Sequence, residues 1–310
     1  MKSTIDCILL FSVVFVINLT GCKNKKAVKA DTPDSGTIHI SIDESFKPVM
    51  QEQIKMFETS FPKSHIIASY KSEADCLRDL FYDSTNRVVV IGRGLYREEE
   101  KYLKDKLGFN PGCNQVASDA VTLILNKKNT DTLFTLETLK ALLTGKDPQH
   151  KFAVFDGLNA TSTVRYIRDS ILKGEPFDTS SVKALSGSSA VIDYISTHEN
   201  AIGFIGISWI GNPEDKQQQQ SLGKLKLGYV RCEVCEGKPF VKPMQQSTDT
   251  RRYPLVRGLY YVNKENYSGL GSGFTSFLKF ERGQLIFRRS YLSPVMNFNT
   301  RNADLILSKP

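Results

Sequence analysis

Residues 37–91 read TIHISIDESFKPVMQEQIKMFETSFPKSHIIASYKSEADCLRDLFYDSTNRVVVI, and this stretch decides the fold. Apolar residues alternate with polar ones in parts of it and recur at a helical spacing in others, which predicts strands and helices respectively. The five predicted elements, strand, helix, strand, helix and strand, fall at Ile38–Ile42, Val49–Phe61, Ile66–Tyr70, Ser72–Tyr82 and Arg87–Ile91. This order is typical of a mainly parallel sheet flanked by helices, with a ligand crevice at the carboxyl ends of its strands.

The alternation of strands and helices continues along the chain and predicts a second α/β lobe. The further elements are the strands Val121–Leu125, Phe152–Phe155, Ala201–Ile205 and Leu255–Val262, and the helices Thr135–Leu143, Val164–Leu172, Ala190–Ser196 and Phe274–Phe280. The fold class that follows is α/β, with two lobes that are each a mainly parallel sheet flanked by helices.

The length of 310 residues suits two lobes, because a domain usually takes about 100–200 residues. We expect lobe I to comprise residues 37–117 and 231–310, and lobe II to comprise residues 118–230. The chain is expected to cross between them near Val116–Thr122 and again near Leu225–Arg231. Short crossover strands of this kind can act as a hinge that closes the lobes on a ligand.

Two polar or glycine-rich segments are predicted to lie outside the regular elements. Gln217–Gln220 is a short polar run after Pro213 and is interpreted as an exposed loop. Gly269–Gly273 resembles a phosphate-binding loop but lacks the lysine that such loops carry, so a glycine-rich turn is predicted there.

The N-terminus has the organisation of a secretory signal. Lys2 precedes the apolar run Ile8–Ile17, which is shorter than the roughly 20 residues that a membrane-spanning helix needs. The run leads to Leu19-Thr-Gly-Cys22, which resembles the lipobox of bacterial lipoproteins; an ordinary signal peptide with a chance cysteine is the alternative. We expect a signal peptide at residues 1–21, lipid on Cys22, and a flexible tether at residues 22–36.

The charge and the cysteines restrict the possible partners. The formal net charge is +8, which favours an anionic partner, but basic residues are spread along the chain without the dense tracts of nucleic-acid binders. Membrane lipid, cell wall or a small anion suits an exported protein better. Cys232 and Cys235 have the spacing of a zinc knuckle without a second pair, so a short-range disulfide or two thiols is the preferred interpretation.

Four predicted helices begin at hydroxyl residues that follow a strand or a loop: Ser45, Ser72, Thr161-Ser162-Thr163 and Ser188-Ser189. Each hydroxyl can simply cap the exposed N–H groups of its own helix, which is worth about 1 kcal/mol. Several such helix starts in one crevice would instead form an anion site, because hydroxyls, free N–H groups and helix dipoles all favour negative charge.

The order of these segments resembles that of the phosphate-binding proteins of bacterial ABC importers, which have the type II periplasmic solute-binding fold. Ser45-Phe46 is similar to the hydroxyl-aromatic pair that meets phosphate in that family, Ser72 to the serine of its second helix, and Thr161-Ser162-Thr163 to its Ser-Gly-Thr loop. Further similar segments are Gly92-Arg93-Gly94-Leu95 with Glu98, Ala201–Gly206, and Tyr253-Pro254-Leu255 with Arg257. The resemblance implies a monomeric oxyanion-binding protein that delivers its solute to a transporter permease.

The chain departs from this family where the family carries a phosphate-clamping arginine. Phe155-Asp-Gly-Leu158 stands at that place, and Arg165, just after Thr163, is our first choice as a substitute. A guanidinium there could hold an anion with paired donors. The alternative is an exposed arginine on the helix surface.

A second departure concerns the aspartate that accepts the phosphate proton in the family. It is replaced by Val88 or Val89, which leaves phosphate specificity open. Arg93 is either a further ligand residue or a structural partner of Glu98.

An enzyme is not expected. The four histidines stand apart, and the chain has neither a His-Glu-x-x-His helix nor a Gly-x-Ser-x-Gly elbow. We therefore predict a membrane-anchored solute-binding lipoprotein at the periplasmic face of the cell envelope, which captures a small oxyanion, foremost phosphate, without a cofactor or a bound metal. The alternatives are a sensory, assembly or adhesion protein on the same fold and, less favoured, an envelope hydrolase.

Overall fold

The computed structural model describes residues 31–157 and 161–296. The predicted signal peptide, the lipidation site Cys22 and most of the tether lie outside these residues. Among the described residues, no helix combines the length and the apolar character needed to cross a bilayer.

The predicted strands and helices are all present, with shifts of a few residues at their ends. The strands are β1 Ser35–Asp43, β2 Lys63–Lys71, β3 Asn86–Ile91, β4 Gly112–Asn126, β5 Leu133–Phe134, β6 Phe152–Phe155, β7 Val182–Ala184, β8 Ala201–Gly206, β9 Leu225–Leu227, β10 Tyr229–Arg231, β11 Phe240–Val241, β12 Val256–Asn263 and β13 Ser293–Pro294. The helices are α1 Lys47–Ser60, α2 Glu73–Tyr82, α3 Arg97–Leu107, α4 Leu136–Leu143, α5 Ser162–Ile167, α6 Ser188–Thr197, α7 Lys216–Gly223, α8 Gln245–Asp249, α9 Leu270–Lys279 and α10 Glu281–Arg289.

The main sheet has the strand order β2-β1-β3-β12-β4-β8-β6-β7. Strands β1, β2 and β3 pair in parallel at one end, and β6, β7 and β8 pair in parallel at the other. We call the part built on β1, β2, β3 and β12 lobe I, and the part built on β6 to β9 lobe II. The predicted fold class, two lobes that are each mainly parallel, is confirmed.

Strand β4 connects the two lobes. Its first part pairs antiparallel with β12 as far as Ala120, and from Val121 onward it pairs antiparallel with β8. This change of partner, between Ala120 and Val121, lies within the predicted crossover Val116–Thr122. The crossover is thus one continuous strand that belongs to both lobes.

The structure differs at the second predicted crossover. Leu225–Leu227 pairs with the end of β4, and Tyr229–Arg231 pairs with β5 and β11, so this segment does not return the chain to lobe I. The return comes by helix α8, where the side chain of Gln245 donates to the backbone carbonyls of Arg288 and Leu292 at 3.0 and 2.6 Å, and β12 follows. A short apolar strand does not reveal its partner from its own sequence, because pairing depends on long-range register. The predicted residue limits of the lobes stay a prediction.

The burial pattern of β1 explains how polar groups reach the interior. Ile38 is buried and His39 exposed, as the alternation predicts, but from Ile40 onward every residue of the strand is buried. The strand thus begins near the surface and ends in the interior of the molecule, where Asp43 is its last residue. One apolar cluster extends from these isoleucines to lobe II, where the rings of Phe155 and Phe204 stack at 4.7 Å.

The segment predicted as an exposed loop at Gln217–Gln220 is part of helix α7, so that prediction is wrong. Asp215 caps the helix, since its carboxylate accepts the N–H groups of Gln217 and Gln218 at 2.9 and 3.1 Å. Glutamine is a good helix former, so a polar run after a capping aspartate is also compatible with a helix.

The glycine-rich segment Gly269–Gly273 is the cap and the first turn of α9 rather than a separate turn. The side chain of Glu265 accepts the N–H groups of Gly271 and Ser272 at 3.0 and 2.7 Å. A carboxylate from the chain itself therefore occupies the anion-binding start of this helix.

Cys232 and Cys235 form a disulfide with a Cα–Cα distance of 5.5 Å. This confirms the short-range disulfide and removes the thiolates that a zinc ion would need.

Candidate functional site

The candidate site lies at the buried contact between the lobes, here called the crevice, where strands of both lobes end. In lobe I, β1 ends at Asp43 and is followed by a single 3-10 turn, Glu44–Phe46. In lobe II, β6 ends at Phe155 and is followed by Asp156. Carboxyl ends of parallel strands are the usual place for a ligand in open α/β sheets.

Four hydroxyl groups converge on the carboxylate of Asp156. Its Oδ1 accepts the hydroxyl of Thr161 at 2.8 Å, and its Oδ2 accepts those of Ser45, Thr163 and Ser188 at 3.1, 3.1 and 2.9 Å. All five side chains are buried. Ser45 belongs to lobe I and the other three to lobe II, so the carboxylate joins the lobes.

Asp43 makes a second connection between the lobes. Its carboxylate accepts the backbone N–H of Ser45 at 2.9 Å and that of Ser162, in the first turn of α5, also at 2.9 Å. Burial and the nearby negative charge of Glu73 raise the pKa of Asp43 to about 7, against the opposing effects of Arg257 and these hydrogen bonds.

Arg257 on β12 is buried in the same crevice. Its Nη1 donates to the hydroxyls of Ser162 and Thr163 at 2.7 and 3.1 Å, and its Nε donates to Asp119 at 3.0 Å. The guanidinium lies 4.6 Å from the ring centre of Phe46, within range of a cation–π interaction. Burial raises the pKa of Asp119, and the adjacent Arg257 opposes this effect.

Glu73 and Arg165 form a further link across the crevice. Arg165 in α5 donates from Nε and Nη2 to Glu73 at the start of α2, with an Nη2–Oε1 distance of 3.2 Å. Glu73 also accepts the N–H of Gly92 at 2.9 Å, and its side chain is only 2% exposed. The guanidinium proposed from the sequence as an anion clamp thus has a carboxylate partner in lobe I.

The crevice holds more acidic than basic side chains. Its carboxylates are those of Asp43, Glu73, Asp119 and Asp156, and its guanidinium groups are those of Arg165 and Arg257. Within the described residues, no three His, Cys, Asp or Glu side chains are grouped so that they could hold a metal ion. The hydroxyl groups already donate to Asp156, and the guanidinium groups of Arg165 and Arg257 already donate to Glu73 and Asp119.

The chain matches the PBP superfamily domain over residues 27–280, which is most of its length. The chain belongs to the PBP superfamily. It is 24% identical over 202 residues to the phosphate-binding protein PstS of Staphylococcus saprophyticus, and 25% identical over 218 residues to that of Pseudomonas aeruginosa. These alignments cover 61% and 64% of this chain, and 58% and 63% of those relatives' own length, which is less than two thirds.

Solved structures of this superfamily share the fold. A phosphate ABC transporter substrate-binding protein from Clostridium perfringens, with bound phosphate, superposes with a TM-score of 0.68 at 22% identity, over 84% of this chain and all of that one. An ABC-type phosphate transport receptor from Vibrio cholerae gives a TM-score of 0.60 at 17% identity, with the same coverage. The two-lobed periplasmic-binding architecture predicted from the sequence is that of these proteins.

Five of the residues predicted from the resemblance to this family lie together in the crevice: Ser45, Phe46, Thr161, Ser162 and Thr163. Two of the four hydroxyls expected to cap helices do cap them, since Ser72 accepts the N–H of Asp75 and Thr161 that of Val164. Ser45 and Ser188 do not. Their hydroxyls donate to Asp156 instead.

The remaining predicted residues have other partners. Ser72 donates its hydroxyl to Asp75 at 2.7 Å. Arg93 forms two hydrogen bonds of 2.7 Å with Glu99 and lies 3.9 Å from the ring centre of Tyr96, so its structural partner is Glu99 rather than the expected Glu98. The ligand roles given to these residues and to Arg165 stay predictions.

Proposed function

We propose that this PBP-superfamily protein is a solute-binding protein that captures a small oxyanion, with phosphate as the first candidate, between its two lobes for an ABC importer. The observation that carries the proposal is the convergence of four hydroxyl donors from both lobes on one carboxylate. The names of its relatives, phosphate-binding proteins and phosphate transport receptors, support the same ligand class.

Physical chemistry favours a small acceptor-rich ligand in this crevice. Four hydroxyl groups converge on the place that the Asp156 carboxylate occupies; they belong to Ser45, Thr161, Thr163 and Ser188. The guanidinium of Arg257 donates to the hydroxyl of Thr163. Donors that are already held in position around a buried site lose little freedom when an anion binds, and this preorganisation favours binding. Hydrogen bonds to charged groups contribute about 1.5–3 kcal/mol each, so a few of them suffice for a specific site.

Location and partners belong to the same proposal. An apolar run followed by Leu-Thr-Gly-Cys22 supports export and lipid attachment, which would hold a monomeric protein at the periplasmic face of the envelope. The transporter permease would recognise the closed, liganded form. No catalytic role is proposed.

The direct test is a thermal denaturation series on the purified protein, dialysed free of phosphate. Phosphate, sulfate, a phosphonate and a carboxylate are added separately. At about 100 times its dissociation constant, a ligand stabilises the folded protein by about 2.7 kcal/mol, which gives a clear rise in the midpoint. Absence of a shift with all four anions at millimolar concentration would contradict the proposal.

One observation favours a second candidate, an assembly or adhesion protein on the same fold that binds no small solute. The hydroxyls that a solute would contact are already bonded to Asp156. Calorimetric titration with the same four anions separates the two functions, since the second one predicts no binding heat.

A further inference from the structure

The bonding of Asp156 differs from that of an ordinary helix-capping aspartate. A cap accepts a backbone N–H from the first turn of its helix. In α5 these groups have other acceptors: Ser162 N–H donates to Asp43, and Val164 N–H donates to Thr161. Among the residues that the structure describes, the hydrogen-bond donors to Asp156 are four hydroxyl side chains. Asp156 is therefore coordinated in the way that a bound anion is coordinated.

These hydrogen bonds use most of the acceptor capacity of the carboxylate, with three donors at Oδ2 and one at Oδ1. An ionised carboxylate has two oxygens with about four lone-pair sites, and four hydroxyls surround Asp156. The side chain is buried, so water does not compete for these sites. An external oxyanion that used the same hydroxyls would have to displace Asp156, because two anions at one desolvated position repel each other.

The position of Asp156 in the chain adds a second argument. It directly follows β6 in lobe II, whereas its donor Ser45 follows β1 in lobe I. The carboxylate thus bridges the crevice, as a solute does when it closes the two lobes of a binding protein. The bond requires the lobes to be together, so it stabilises the contact between them.

We propose that the carboxylate of Asp156 is an internal ligand, which takes the place of the oxyanion between the lobes and sets the affinity for an external oxyanion. The inference rests on the proposed function for the identity of that external ligand. If the self-bound form dominates by about tenfold, the apparent affinity for phosphate falls by the same factor. Asp156 is then the residue that determines how much free anion the protein needs.

The test compares the parent with Asp156→Ala. The control is Asp193→Ala, which removes an exposed carboxylate from α6, the helix that begins at Ser188. Calorimetry with inorganic phosphate gives the affinity. The single tryptophan of the chain, Trp209, reports closure, because its Nε1 donates to the carbonyl of Ser45 at 3.0 Å across the crevice. Its fluorescence is recorded with and without phosphate.

We expect Asp156→Ala to bind phosphate at least about tenfold more tightly than the parent, with a Trp209 emission that is red-shifted without phosphate and returns to the parental position on addition. Asp193→Ala should behave as the parent does. If Asp156→Ala does not fold, Asp156→Asn is used, since it keeps the shape and one acceptor oxygen but removes the charge; the same gain in affinity is expected.

The outcomes separate this inference from the proposed function. Equal affinity and equal emission for variant and parent would overturn the internal ligand, while binding by the parent would still support solute capture. A red shift in the variant that none of phosphate, sulfate, phosphonate or carboxylate reverses would support Asp156 as the closing group and contradict capture of an oxyanion.

Discussion

Asp43 accepts the backbone N–H of Ser162 at 2.9 Å, and the two residues belong to different lobes. The contact joins the end of β1 to the first turn of α5, 119 residues later in the chain. Because the contact involves a buried carboxylate beside Glu73, we expect the stability of the folded protein to depend on the protonation of Asp43.

The pH dependence of stability tests this. The pKa of Asp43 is raised from 3.8 to about 7, chiefly by burial and then by Glu73. Between these values the folded protein holds a proton that the unfolded chain has released, so the free energy of unfolding should fall as pH rises from about 4 to about 7. At about 1.4 kcal/mol per pKa unit, the fall can reach about 4 kcal/mol.

Urea unfolding at pH 4, 5.5 and 7 measures this fall. Burial also raises the pKa of Glu44 and Asp119, which contribute with the same sign, whereas the lowered pKa values of Glu99 and Glu137 contribute with the opposite sign. The comparison is therefore with Asp43→Asn, which removes only the contribution of Asp43. Equal slopes for variant and parent would contradict the assignment.

Replacement of Arg165 should change stability, because its partner Glu73 is buried. We expect Arg165→Ala to lower the free energy of unfolding by about 2–4 kcal/mol, since it leaves a buried carboxylate without its counter-charge. Arg168→Ala is the matched control: this neighbour is half exposed and its ion pair with Asp169 is on the surface. Should Arg165→Ala unfold at the same urea concentration as Arg168→Ala, the guanidinium is free for the ligand role suggested by the sequence.

A methyl group at Gly92 should separate the lobes. A Cβ there would lie 2.5 Å from the Cβ of Ser162, in the opposite lobe. We expect Gly92→Ala to lower stability and to red-shift the emission of Trp209. Gly94→Ala is the control, because its Cβ would meet Tyr260 at an ordinary 3.5 Å. Identical spectra for the two variants would show that the lobes close without this contact.

Cys22→Ser should release the protein from membranes if Cys22 carries the lipid. The apolar run before it is too short for a stable membrane span, so the acyl chains would be the anchor. Membrane and soluble fractions are compared by immunoblotting, and the mass of each form is measured. A variant that stays in the membrane fraction with an unchanged mass would contradict lipid anchoring.

The fold could be predicted because its signals are local. The alternation in β1 and the continuous valines of β3 identify strands from a few neighbouring residues. The hydroxyls of the site were found for a similar reason, since Ser45 and Thr161–Thr163 follow strands and precede helical turns. Ser188 belongs to the same pattern, but the resemblance to the phosphate-binding family does not include it among the ligand residues, although its hydroxyl donates to Asp156.

The charged partners in the crevice could not be predicted from local patterns. Arg257 and Asp119 face each other because β12 and β4 pair antiparallel in one register, although they are 138 residues apart in the chain. From the sequence, Asp156 is only part of the segment that stands where the phosphate-binding family carries an arginine. Its function as an acceptor depends on the approach of Ser45 from the other lobe, which no local pattern encodes.

The fifteen-residue strand β4, shared by both lobes, limits how this protein can be divided. If the chain were divided within β4, either β12 or β8 would lose its paired strand and expose a row of unpaired N–H and C=O groups. Such edges recruit other chains and promote aggregation. We therefore expect each lobe expressed alone to aggregate. A second domain fused within this chain would be tolerated better in an exposed loop than within β4.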